Sequence, residues 1–349
     1  MNKLFSYVFL LLFATGFTAC KKDRDIAVAI KPSDGKTSSL SGGSGGANAV
    51  NSVFIDFSTD KQDSVLRSSW DLGFYSGNEF RVVLNHTTSA GAKVTDKNDL
   101  AQVGAADTTG LTLSVNQMNP QPTDLAYFDD ASGALSGTVI PAVSANDAEN
   151  KVVILNRGTG GATPARPWIK LRVLRNGNAG YTLQYARIAE TSFQTVQVSK
   201  DAAYNFKFVS LDGGGTVSVE PERENWDIQW TYSVYKTSFG AGDVPYNFSD
   251  LIAINVLGGV QAAEVMTSNI AYADYNEAHV AGTNFSSNRW IIGSNWRATT
   301  GTIGVKADRF YVVKDPAGNV YKLKFISFHA NDGGVRGYPQ VEYKLVKQG

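Results

Sequence analysis

Along most of this chain apolar residues recur at every second position, a spacing that suits an extended strand with one wet face and does not suit a helix. Val53-Phe54-Ile55-Asp56-Phe57, Phe80-Arg81-Val82-Val83-Leu84 and Leu111-Thr112-Leu113-Ser114-Val115 carry the pattern. So do 152–155, 216–219, 228–235 and 310–313, rich in the β-branched and aromatic residues that pack well on a pleated surface. With 34 Gly against 10 Pro, the connections are expected to be tight turns. Two stretches, 248–257 and 262–278, look helical. The expected fold is mainly β, with antiparallel curved sheets and a minor helical excursion.

A repeat organises these strands. Ser69-Trp70-Asp71-Leu72-Gly73-Phe74 returns as Asn225-Trp226-Asp227-Ile228-Gln229-Trp230. Downstream of each copy stand a strand, a Gly/Asn turn and a returning strand, over 168–185 and again over 309–325. That turn chemistry is a hairpin's. Two units follow, 51–200 and 201–349, each opening near a Trp-Asp strand and closing on a hairpin. Two copies are a duplication, since a solenoid needs three or more. No linker-like stretch parts them, so they are expected to share sheet structure. Trp70 and Trp226, at matching positions, read as core anchors.

The N-terminus carries a different signal. Lys3 is followed by an apolar run from Leu4 to Phe13 and then by Phe17-Thr18-Ala19-Cys20, where Cys20 is the chain's single cysteine. This has the form of a lipoprotein signal peptide, 1–19, cleaved before an acylated Cys20. The apolar run falls short of the roughly 20 residues that span a bilayer. Lys21-Lys22-Asp23-Arg24-Asp25 and the Gly/Ser-rich stretch from Thr37 to Ala49 then read as a flexible leash over 20–50. A charged run directly after an acylated cysteine resembles surface-export tethers, which places the body outside the outer membrane.

Charge and missing parts exclude several functions. The chain has 32 basic and 32 acidic residues and no basic patch, so nucleic acid finds no footprint. Gly-x-Ser-x-Gly, His-Glu-x-x-His and Cys-His arrangements are all absent from the sequence. The acidic pairs Asp129/Asp130, Glu222/Glu224 and Asp71/Asp227 are common on surfaces and do not define a reaction. The chain is expected not to be an enzyme.

Phe54-Ile55-Asp56-Phe57, the two Trp-Asp strands and above all the closing stretch from Asp308 to Val346 resemble the HmuY-like family of bacterial haem-binding surface lipoproteins. This chain would be a double-unit version. The resemblance implies a β-fold whose projecting excursion clamps haem between two axial side chains, and hand-over to an outer-membrane, TonB-dependent transporter. Family ligands are His or Met pairs in the excursion between the Trp-Asp strand and the closing hairpin. Here that excursion, about 239–306, offers Met266 and His279 as axial candidates. Met118 falls in the equivalent excursion of the first unit, while His86 and His329 read as turn and strand-end positions. Just before the closing hairpin stands Asn295-Trp296-Arg297-Ala298-Thr299-Thr300-Gly301, without His or Met. Trp290, Trp296, Tyr272 and Tyr275 are candidate ligand walls, and Arg297 a candidate partner for a ligand carboxylate. The alternative is a binding module of the same fold that holds a glycan or a partner protein through exposed aromatics, with Tyr246, Asn284, Asn288 and Asn295 close at hand.

Overall fold

Period two is realised as strands at the stretches named except 111–115, which is loop, with Leu113 buried at φ 45°. In a computed structural model covering residues 31–240 and 242–349, the first half contains β1 (Gly35–Ser39), β2 (Asn51–Asp56), β3 (Lys61–Leu66), β4 (Leu72–Tyr75), β5 (Val82–Leu84), β6 (Gly91–Val94), β7 (Val153–Asn156), β8 (Ile169–Asn176), β9 (Gly180–Arg187) and β10 (Gln194–Ser199). The second contains β11 (Phe206–Ser210), β12 (Gly215–Val217), β13 (Ile228–Ser238), β14 (Asp243–Ile254), β15 (Gln261–Met266), β16 (Arg297–Ala298), β17 (Gly304–Val305), β18 (Arg309–Lys314), β19 (Val320–Ser327) and β20 (Gln340–Lys347). Every pairing among them is antiparallel. The signal peptide and Cys20 lie outside the described residues.

Four sheets form two sandwiches. β12-β11-β4-β5 and β10-β9-β8-β7-β6 enclose one core, built from Leu72, Phe74, Leu155, Leu171, Leu183, Val209 and their neighbours. β14-β13-β2-β3 and β1-β20-β19-β18-β15 enclose the other, around Val53, Ile55, Ile228, Trp230, Tyr321 and Tyr343. The hairpins read from the sequence are β8–β9 and β18–β19, at matching places in the two sandwiches.

The sandwiches exchange hairpins. β2–β3 precedes the first Trp-Asp pair, yet β2 lies beside β13 of the second copy. Reciprocally, β11–β12 precedes the second pair and β11 lies beside β4 of the first. The same chemistry locks both junctions. Asp71 Oδ2 accepts from the Leu211 N–H at 2.8 Å, and Asp227 Oδ2 accepts from the Phe57 N–H at 2.8 Å. Asn85 donates to the carbonyls of Arg67 and Trp70, and Asn255 to those of Arg223 and Trp226. Trp70 packs edge-on against Phe208 at 4.8 Å, as Trp226 does against Phe54 at 5.1 Å. Strand pairs therefore cross the 200/201 division in both directions, and residues 32–349 form one compact unit.

Two expectations are corrected. The leash does not extend to residue 50. β1 pairs with β20 from Gly35↔Lys344 to Ser39↔Gln340, and Leu40 and Ala49 are fully buried. The glycines there serve close approach: a Cβ on Gly42 would lie 2.2 Å from the Trp230 ring. The 248–257 stretch is strand, not helix, since β14 runs to Ile254 and bulges where Asp250 takes φ 55°. Of 262–278, the first part is β15 and only a 3-10 turn at Glu277–Gly282 is helical. Helical content among the described residues is confined to such short 3-10 turns.

Candidate functional site

The exchange leaves a cavity of about 880 Å³ between the sandwiches, within the range of small-molecule and cofactor sites. Its walls are the repeated aromatic pairs, Trp70 with Phe208 and Trp226 with Phe54, joined by Phe206 and Phe128. Each tryptophan is held by the turn next to its Trp-Asp strand, because Asn85 or Asn255 ties down its carbonyl. Trp70 and Trp226 are thus buried, as a core anchor would be, and they also face the cavity.

The polar groups come from both units, His86 and Asp129 from the first and Glu220 and Arg289 from the second, and are not duplicated as the aromatics are. His86 opens the 3-10 turn His86–Thr88, which Asn85 caps by accepting from the N–H groups of Thr87 and Thr88. Its ring lies 5.9 Å from Trp70, and its Nε2 stands 3.4 Å from Arg289 Nη2. Burial, then the charges of Arg289 and Arg67, hold this imidazole well below its ordinary range, so it is neutral at pH 7. Burial also brings Arg289 down to about 10, opposed by the nearby Glu220. Glu220 itself is pushed up to about 8 by burial, against the Phe206 N–H that donates to its Oε1 at 2.8 Å. Asp129 is pushed up to about 6 by burial, although both its oxygens accept backbone N–H groups, from Leu84 at 2.7 Å and Val139 at 2.8 Å. Glu220, Asp129 and Arg289 keep some accessible surface because they face the void, while protein surrounds them otherwise.

The residues singled out by the sequence lie elsewhere. Met266 ends β15 opposite Arg309, and His279 is exposed in its 3-10 turn, where its Nδ1 accepts from the Asn276 N–H. Neither lines the cavity. Met118 is 94% exposed. Tyr272 and Tyr275 pack edge-on against Phe310 in a satellite core, and Lys322 Nζ pins that segment through the carbonyls of both. Trp296 is 1% exposed, stacked on Phe325 at 4.2 Å, with its Nε1 donating to the Asp250 carbonyl. Trp290 packs on Leu251 and Ala253 and donates to the Ala131 carbonyl. Arg297 is buried and donates to the Ser249 carbonyl. Within the excursion, Tyr272 and Tyr275 therefore pack onto β18–β19, Trp290 onto β14, and Trp296 into the core of the second sandwich.

Sequence reasoning overlooked Glu220 and Arg289, which sit in unremarkable polar stretches, and placed His86 only in a turn. A signal for His86 existed in its position fifteen residues after Asp71, in the turn that closes the first Trp-Asp hairpin. Among the described residues no three or more His, Cys, Asp or Glu are gathered to hold a metal ion, and no helix is long and apolar enough to cross a membrane. What the cavity can do is enclose a flat apolar molecule between aromatic walls, with one neutral imidazole, one guanidinium and two carboxyls raised by burial at hand.

Residues 48–343 match the model of the HmuY protein family. Two solved structures are similar, both faintly. The apo HmuY analogue TFO of Tannerella forsythia shares 7% identity at a TM-score of 0.23, with 92% of this chain and all of that one covered. Apo PinO from Porphyromonas gingivitis shares 13% at 0.16, with 46% of this chain and 87% of that one covered. No relative matches among curated proteins. The family match spans both Trp-Asp copies, both hairpins and the cavity between them: the chain belongs to the HmuY family.

Proposed function

We propose that this protein is a surface-tethered binding protein, anchored to the outer membrane through an acylated Cys20, that takes up haem and passes it to a TonB-dependent transporter. The family supplies the expectation of a haem-type ligand. The observation that carries the reading is the cavity of about 880 Å³, walled by aromatics of both repeats and furnished with a neutral imidazole. Haem iron takes imidazole nitrogen as an axial ligand, and porphyrin faces favour aromatic walls. His86 is the residue suited to supply that nitrogen, since a neutral imidazole keeps a lone pair on one of its two ring nitrogens. Trp70 and Trp226 would flank the macrocycle. Met266 and His279 remain the candidates that the excursion offers, and they are tested alongside.

The experiment is a haem titration of the mature chain from Lys21, with visible spectra in both oxidation states. Saturable binding with sharp low-spin bands, altered by His86→Ala and unchanged by Met266→Ala and His279→Ala, is expected. Spectra unchanged in His86→Ala but altered in either excursion variant would move the ligand site to the excursion. An absence of saturable binding would sink the haem reading. For the alternative, a glycan or protein site on exposed aromatics, Trp290, Trp296 and Tyr275 are buried, which leaves Tyr246 and Tyr272, both half-buried, as its platform.

A further inference from the structure

The cavity repeats its apolar walls but not its charge. Arg289 reaches it from within the excursion, beside Trp290. Its guanidinium lies 5.0 Å over the Trp290 ring, and its polar contact is the one to His86 Nε2 at 3.4 Å. The neighbouring loop has made room for it. Gly133, at φ 80°, is a glycine whose Cβ would stand 2.9 Å from Arg289 Nη1 and 3.1 Å from its Cδ. No carboxylate among the described residues pairs with this guanidinium. The nearest acid to influence it, Glu220, is turned to the Phe206 N–H and retains its proton at pH 7. Asp129 spends both oxygens on backbone donors. His86 is neutral.

The site therefore holds, inside an aromatic enclosure, a guanidinium that no carboxylate among the described residues is paired with. An enclosed charge without a partner is unfavourable, and a guanidinium is shaped to meet a carboxylate through two parallel bonds. The geometry points to Arg289 as an acid anchor: the cavity selects flat apolar molecules that bear a carboxylate, and it recognises the acid group independently of any metal. The inference rests on the cavity being the ligand site. It adds an exchange of partners. A ligand carboxylate on Arg289 takes the guanidinium away from His86, and the Nε2 lone pair is thereby released only when an acid-bearing ligand has arrived.

Iron-free protoporphyrin and its dimethyl ester separate acid recognition from metal binding. Their titration into the mature chain is read by quenching of tryptophan fluorescence, since Trp70 and Trp226 wall the site. The diacid is expected to bind roughly ten- to one-hundred-fold more tightly than the ester, the gain of a charge-assisted contact. Arg289→Met should bring the diacid to the ester's affinity, and Arg289→Lys should retain part of the gap, with melting curves confirming that both variants are folded. Equal affinities for diacid and ester in the unaltered protein, or a gap that persists in Arg289→Met, would overturn the anchor while leaving the cavity as the site. Quenching by neither porphyrin would overturn both readings together.

Discussion

Replacing Glu220 with Gln should stabilise the protein at high pH and leave it unchanged at low pH. Burial raises this carboxyl from 4.5 to about 8, so the folded state holds a proton that the unfolded chain releases. The stability this contributes is fully present below about pH 4.5 and is lost as pH rises through about 8. At about 1.36 kcal/mol per pKa unit the whole interval is worth at most roughly 5 kcal/mol, and water in the cavity reduces it, so about 2–4 kcal/mol is expected. Gln keeps the oxygen that accepts from Phe206 N–H and never ionises. The variant's advantage should therefore be near zero at pH 4 and reach that figure by pH 9. Denaturant unfolding at pH 4, 6.5 and 9 measures it directly. A difference that is the same at all three values would refute the argument, because it would come from packing and not from the proton.

Three further outcomes follow from the hairpin exchange and its borders. Asn85→Ala strands two buried carbonyls and Asn255→Ala one buried and one partly exposed, so the first should cost about 2–4 kcal/mol in denaturant unfolding and the second less; a loss below about 1 kcal/mol for Asn85→Ala would mean that water replaces the side chain. Starting the chain at Asn51 removes β1 and Leu40, whose loss alone should lower stability by about 2–5 kcal/mol. It also bares the β20 edge and should promote aggregation, and light scattering at the melting temperature would reveal an unaltered protein if the pairing is dispensable. Trp70→Ala and Trp226→Ala should each reduce porphyrin affinity, whereas Trp296→Ala should lower stability without changing the titration of the residual folded fraction.

What the sequence made legible was local. Period-two alternation and Gly/Asn turns identified β8–β9 and β18–β19, and the Trp-Asp copies marked the two junctions, because each of these signals is written within about twenty residues. The exchange was not legible, since pairing Ile55 with Ile228 or Phe208 with Gly73 is decided by contacts far apart in sequence. Composition misled at Gly42, where glycine serves contact with Trp230 and not freedom. Periodicity misled at 248–257, where the bulge at Asp250 shifts the alternation and imitates a helical face. Trp296 and Tyr275 looked like ligand walls because aromatics beside polar residues read alike whether they face solvent or a satellite core. Glu220 and Arg289 matter through what surrounds them, which only the assembled sandwiches supply.

The exchanged hairpins also set an order of events for a chain that emerges from its N-terminus. β4 stays an open edge until β11 and β12 have appeared, more than 130 residues later, and β2 waits still longer for β13. Neither sandwich can close before most of the chain is available, so closure of one and of the other are coupled into a single late step. Such distant pairings slow folding and lengthen the time during which unpaired edges are exposed. The sheet β10-β9-β8-β7-β6, whose strands all lie within 91–199, needs no such wait, so it is the closing of the sandwiches and not the forming of every sheet that the exchange delays.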